Sequence, residues 1–165
     1  MLSKARFNTS VAFPLFLAMM ACGSSAPTPI VYGKDHCDFC RMSIVDARYG
    51  SELITRQGKA FRFDSIECLA EYTLKGDVVG DDVESLWVTS FDNPGQLVDA
   101  LSVTYLRSAD LPSPMGMNLT AFSEPAGAEN AREKHQGEIL YWTDVLLVVM
   151  GKSSSGRDAP EDSHQ

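Results

Sequence analysis

The chain has 165 residues, 44% of them hydrophobic, with 22 acidic and 14 basic side chains and a formal net charge of −8. That length and composition describe one globular domain, neither a large multi-domain enzyme nor a disordered chain. The negative balance excludes the clustered Lys and Arg that grip a phosphate backbone, so no nucleic acid is expected as a partner.

In chain order, residues 1–21 read as a lipoprotein signal peptide. Lys4 and Arg6 open it, residues 11–20 (VAFPLFLAMM) form an apolar run too short to span a bilayer, and Ala21 precedes Cys22 and Gly23. The arrangement resembles a bacterial lipobox, with Met19 where leucine is usual. It implies a lipid on Cys22, which removes that thiol from chemistry and anchors the chain to a membrane through several acyl chains. Gly23 after the cysteine points to a bacterial outer-membrane lipoprotein facing the periplasm. A secretory signal with a coincidental cysteine is the alternative. Cleavage takes Lys4 and Arg6 with it, leaving 144 residues at a net charge of −10. Residues 22–34 are then anchor and tether, 35–150 the folded domain, and 151–165 a disordered tail.

Within the domain, local signals come in the same order twice. Residues 52–56 (ELITR) and 59–63 (KAFRF) read as strands joined at Gln57-Gly58. Asp64 or Ser65 caps a helix over 66–74 that stops at Lys75-Gly76. Residues 86–91 (LWVTSF) alternate as a further strand. The second set has a strand over 102–106, a partner over 118–122 across a long loop, and a helix from near Pro125 to His135, stopped by Gln136-Gly137. A strand over 138–142 closes it, and Asp144 begins a short final helix. Phe63-Asp64-Ser65 and Phe122-Ser123-Glu124 each lead into a helix ended by glycine, then into a strand carrying Trp87 or Trp142. The expected fold class is α+β, two related ββαβ half-units forming one compact domain.

Past Cys22, the sulfur side chains are Cys37, Cys40, Cys68, Met42, Met115, Met117 and Met150, five of them in two short loops. The first loop is His36-Cys37-Asp38-Phe39-Cys40-Arg41-Met42. Its Cys-x-x-Cys spacing brings two sulfurs close enough to share a metal or form a disulfide, and the Met42 thioether can join the same ion. A structural disulfide suits an oxidising periplasm. A thioredoxin-like pair belongs at the start of a helix in an α/β fold, a pattern missing around this loop. A structural zinc site wants four N/S ligands, which Cys68 and His36 could complete. The second loop is Pro112-Ser113-Pro114-Met115-Gly116-Met117. Methionine fills gaps in cores, which suits Met150 in its apolar run but not two methionines in a Pro/Gly-rich loop. Soft thiolate and thioether ligands select Cu(I) over harder divalent ions. His135, near a helix C-terminus, and His164, in the tail, read as structural or solvated.

These residues resemble the NosL family of copper-binding lipoproteins, accessory proteins in maturing nitrous-oxide reductase. The stretches that match are the lipobox at Cys22, Cys37-x-x-Cys40-x-Met42 with Ile44 and Asp46, Phe63-Asp64-Ser65 with Cys68, Ser113-Pro114-Met115-Gly116 leading to Ala121-Phe122, and Gly137 to Trp142. They span roughly residues 35–145. The resemblance implies a Cu(I) chaperone, not an enzyme, that passes copper to the copper-site assembly machinery of nitrous-oxide reductase. Metal ligands are then drawn from Cys37, Cys40, Met42, Met115, Met117 and Cys68. The family commonly has glycine where this chain has Arg41, which puts the backbone of that loop in question. The placement of Cys68 is also similar to small TRASH- or YHS-like metal modules, in which such a cysteine joins the first pair; a buried core cysteine is the simpler alternative. Two other functions fit the thiols: a thiol-disulfide oxidoreductase using Cys37 and Cys40, and a lipoprotein with a structural zinc or disulfide site.

Overall fold

Gly58, at φ +80°, turns the chain between β1 (Ser51–Thr55) and β2 (Ala60–Phe63), and its N–H donates to the Thr55 carbonyl at 2.8 Å. The left-handed region is open to glycine at no Cβ cost, which is why Gln-Gly serves here. Every residue of β1 is buried, whereas β2 alternates between half-buried and buried. The reason is position: β1 is flanked by β2 on one side and by β3 (Val83–Thr89) on the other, both antiparallel. A fourth strand, β4 (Leu97–Asp99), gives the order β2-β1-β3-β4. Between β2 and β3 runs helix α1 (Ile66–Lys75). The structure is a computed structural model and describes residues 26–75, 78 and 80–155. The signal peptide, Cys22, the helix stop at Gly76, and the tail from 156 onward, His164 included, lie outside the described residues.

The second half repeats the plan. Strands β5 (Thr104–Arg107) and β6 (Leu119–Phe122), helix α2 (Pro125–His135) and β7 (Glu138–Leu140) form an antiparallel sheet of order β6-β5-β7. In both halves the helix joins the two strands that flank the first one, β2 and β3 beside β1 and β6 and β7 beside β5, so the α+β reading with two ββαβ units is consistent with the topology. The sheets meet where Ser90 bridges Ala121 and the Phe91 N–H donates to the Ala121 carbonyl at 2.8 Å. Leu53, Phe63, Leu69 and Val88 of the first half share one core with Tyr105 and Leu119 of the second. Each such side chain, withdrawn from water, contributes about 1.5–3 kcal/mol.

Several boundaries differ from the sequence reading. The three-residue β4 was not expected, being too short to show a period. The strand expected over 102–106 starts at Thr104. The strand expected to carry Trp142 ends at Leu140, and Trp142 begins α3 (Trp142–Ser155), which packs on α1. Its start is set by Asp144, whose carboxylate accepts the Tyr141 N–H at 2.9 Å in the manner of the reciprocal half of a capping box. At 14 residues, α3 is not short, and it runs five residues into the stretch read as tail.

The segment read as tether is docked from Thr28 onward. The Thr28 N–H and hydroxyl donate to the fully buried Glu52 carboxylate at 2.8 and 2.6 Å, and Arg62 lies 3.6 Å from it. Ile30 and Tyr32 lie over Gly50, where a Cβ would come within 2.7 Å of the Tyr32 hydroxyl oxygen. No helix among the described residues is long and apolar enough to cross a membrane.

Candidate metal centre

The Cys-x-x-Cys loop is closed on itself before it meets the rest of the site. The Cys37 N–H donates to the Met42 carbonyl at 2.8 Å, the Arg41 N–H to the Cys37 carbonyl at 3.0 Å, and His36 bridges Ser43. To complete this circuit Arg41 takes φ 68°, the left-handed conformation. A residue with a full side chain therefore holds the bend, at a steric cost. Asp38 fastens the loop to β2: its N–H donates to the Arg62 carbonyl at 2.8 Å and its carboxylate accepts the Arg62 N–H at 2.8 Å. The loop is thus held beside the end of β2, where Asp64 follows.

Cys68 arrives from α1. Of the two candidate caps, Ser65 takes the role, its hydroxyl accepting the Cys68 N–H at 3.2 Å. This fixes Cys68 one turn into the helix and frees Asp64 to turn toward the thiols. One ligand atom each from Cys37, Cys40, Asp64 and Cys68 lies within 4.8 Å of all the others. All three cysteines are free. Cys37, Asp64 and Cys68 are buried, while Cys40 is half-buried and forms the open side.

Hydrogen bonds already divide the charge among these groups. The Cys40 N–H points to the Cys37 sulfur at 3.4 Å, and the Cys40 thiol donates to Asp64 Oδ1 at 3.6 Å. The Cys68 thiol hydrogen bond holds Cys37 down to about 6, against the opposing effect of burial. Burial pushes Cys40 up to about 11, helped by the neighbouring Cys37 and Asp64. Cys68 is driven up as well, first by its bond to Cys37 and then by burial. The cluster thus carries one thiolate and two thiols near neutral pH, a set that an incoming soft cation converts by displacing protons.

The methionines are distributed differently. Met42 is 47% exposed beside Cys40, and Met117 is 5% exposed within the core. Met115 is half-buried against the same core that contains Cys37 and Cys68. Its loop turns through Gly116, at φ +72°, whose N–H donates to the Ser113 carbonyl at 3.0 Å. Two contacts tie this loop to the first half: the Tyr49 hydroxyl donates to the Pro112 carbonyl at 3.0 Å, and the Ser113 hydroxyl donates to Glu67 of α1. His36, a possible fourth zinc ligand from the sequence, is not among the converging groups. Asp64 is, although the sequence suggested only a helix cap for it. Its signal was its place between buried Phe63 and the true cap, four residues ahead of Cys68.

Three sulfurs and one carboxylate with one open side form a site that can accept and release a thiophilic cation. A family model, NosL, matches residues 29–148. Among solved structures, the fold is similar to the crystal structure of the copper chaperone NosL from Shewanella denitrificans, with a TM-score of 0.61 and 19% identity over 72% of this chain and 94% of that one. No curated protein matches the chain. The match begins at residue 29, in agreement with a fold that is already docked at Thr28. By the span of that family match, the chain belongs to the NosL family.

Proposed function

We infer that this chain is a Cu(I) carrier that holds the ion through Cys37, Cys40 and Cys68 and releases it at the open Cys40 side. The observation that carries this reading is the convergence of three free cysteine sulfurs within 4.8 Å. Soft ligands in small number suit Cu(I), and a site with an accessible edge suits handover rather than permanent structure. The similar crystal structure is that of a copper chaperone, which supports the same cargo. No catalytic constellation is invoked; the chemistry is ligand exchange, in which each metal–sulfur bond lost to the carrier is replaced by one to the recipient. In this reading the recipient is the copper-site assembly machinery of nitrous-oxide reductase, as the family resemblance implies. A lipid on Cys22 holds the carrier at the outer membrane, facing the periplasm.

Anaerobic titration of Cu(I) against a chromophoric competitor tests the cargo. Cys40→Ala and Met115→Ala should each lower affinity, the cysteine change by more; unchanged affinity in both variants overturns the reading. Asp64 favours a second reading, Zn(II), because Cys37, Cys40, Cys68 and a carboxylate make a four-ligand set that zinc accepts. Asp64→Asn separates the two. Zn(II) affinity should fall by at least about tenfold, while Cu(I), which has little use for a hard oxygen, should be retained.

A further inference from the structure

Glu67 has no part in the thiol cluster, yet it sits between the cap Ser65 and the candidate ligand Cys68. It is 1% exposed. Its Oε1 accepts the Ser113 hydroxyl, and its Oε2 has no hydrogen-bond partner. An exposed carboxylate in the first turn of a helix would enjoy the same helix dipole without the cost of leaving water. What the burial of Glu67 gains is its bond to Ser113. Ser113 accepts the Asn118 N–H at 2.8 Å on its hydroxyl oxygen, and the Gly116 N–H at 3.0 Å on its carbonyl. A single residue gathers the whole 113–118 loop and attaches it, through one proton, to α1. Met115 is inside that loop, half-buried against the core that contains Cys37 and Cys68.

We propose that the hydrogen bond from Ser113 to Glu67 is a positioning device, holding the 113–118 loop against the first turn of α1 so that Met115 joins the cysteine site and biases it toward Cu(I) over Zn(II). The proposal rests on the Cu(I) reading above. Its selectivity follows from ligand chemistry: a neutral, soft thioether strengthens a Cu(I) site and adds little to a zinc site. Neither Glu67 nor Ser113 touches the ion. Both act through Met115, in the way that outer residues orient the ligands of a metal site.

The test compares Cu(I) and Zn(II) affinities of the full mature chain by chelator competition. Ser113→Ala should weaken Cu(I) by about tenfold and leave Zn(II) unchanged. Ser113→Thr, which keeps the hydroxyl, and Glu67→Gln, which keeps an acceptor, should each retain most of the Cu(I) affinity. In a Met115→Ala background, Ser113→Ala should have no further effect. Glu67→Leu removes the acceptor together with its unpartnered oxygen and fills the core. It carries the same comparison if Ser113→Ala does not fold. Equal losses for both metals, or a loss that persists without Met115, overturn the proposal. If Cys40→Ala weakens Cu(I) but Met115→Ala does not, the positioning role falls and the Cu(I) carrier stands. If neither does, the Cu(I) reading itself falls.

Discussion

Arg41 occupies the left-handed region at φ 68° with a full side chain, between two loop hydrogen bonds that need the bend. A residue with a Cβ pays roughly 1–2 kcal/mol there, and glycine gives back about 0.5–1 kcal/mol through its greater freedom in the unfolded chain. Arg41→Gly should therefore stabilise the metal-free domain by about 0.5–1 kcal/mol in urea unfolding. Arg41→Val, branched at Cβ, should destabilise it. Loss of stability with glycine would mean that the arginine side chain contributes more than its backbone costs. Asn118, at φ 63°, has the same conformation with less penalty, since asparagine tolerates it.

At the scale of the elements, α1 is the part of the site that sequence patterns placed most closely. Ser65 is a recognisable cap, and the apolar spacing of Ile66, Leu69 and Ala70 marks the buried face. Because Ser65 is fully buried, Ser65→Ala leaves the Cys68 N–H without an acceptor or a water to replace it. The cost should be about 1–2 kcal/mol of stability in denaturant unfolding, accompanied by weaker metal binding, since the same bond sets the position of Cys68. Unaltered stability would place the helix start elsewhere. Other elements were less legible for identifiable reasons. In β4, three residues are too few for an alternation to emerge, and only pairing with β3 defines the strand. Trp142 follows a β-rich run and would extend β7 by composition alone; the Asp144 carboxylate bonded to the Tyr141 N–H decides for helix. Thr28 looked like tether because its partner, Glu52, is 24 residues away, on a strand whose local pattern carries no sign of the contact.

For the molecule as a whole, the cysteine spacing indicated a sulfur site, but the gathering of its members depends on tertiary contacts with no local trace. Asp38 on Arg62 brings the loop to β2, and Ser113 on Glu67 brings the second half to α1. The assembled site changes how the fold responds to pH. Cys37 has an ordinary value of 9.0 and is held down to about 6 in the folded protein. Between those limits the unfolded chain binds the extra proton, so stability from this group rises with pH from about 6 to 9 and is lost as pH falls through 6. Cys40 has the opposite sign. Held up at about 11 from 9.0, it keeps its proton in the folded protein after the unfolded chain has lost it, so stability declines as pH climbs from 9 to 11. Cys68, also raised, steepens that decline. The metal-free thiols together should make the domain most stable near pH 9, where the window of one ends and that of the other begins. Thermal unfolding of the metal-free protein against Cys37→Ser isolates the first half of this curve. The difference between the two should grow from pH 6 to 9, because serine has no proton to exchange in that range. A difference independent of pH would mean that Cys37 is an ordinary thiol, and that metal uptake must displace a proton from all three cysteines instead of two.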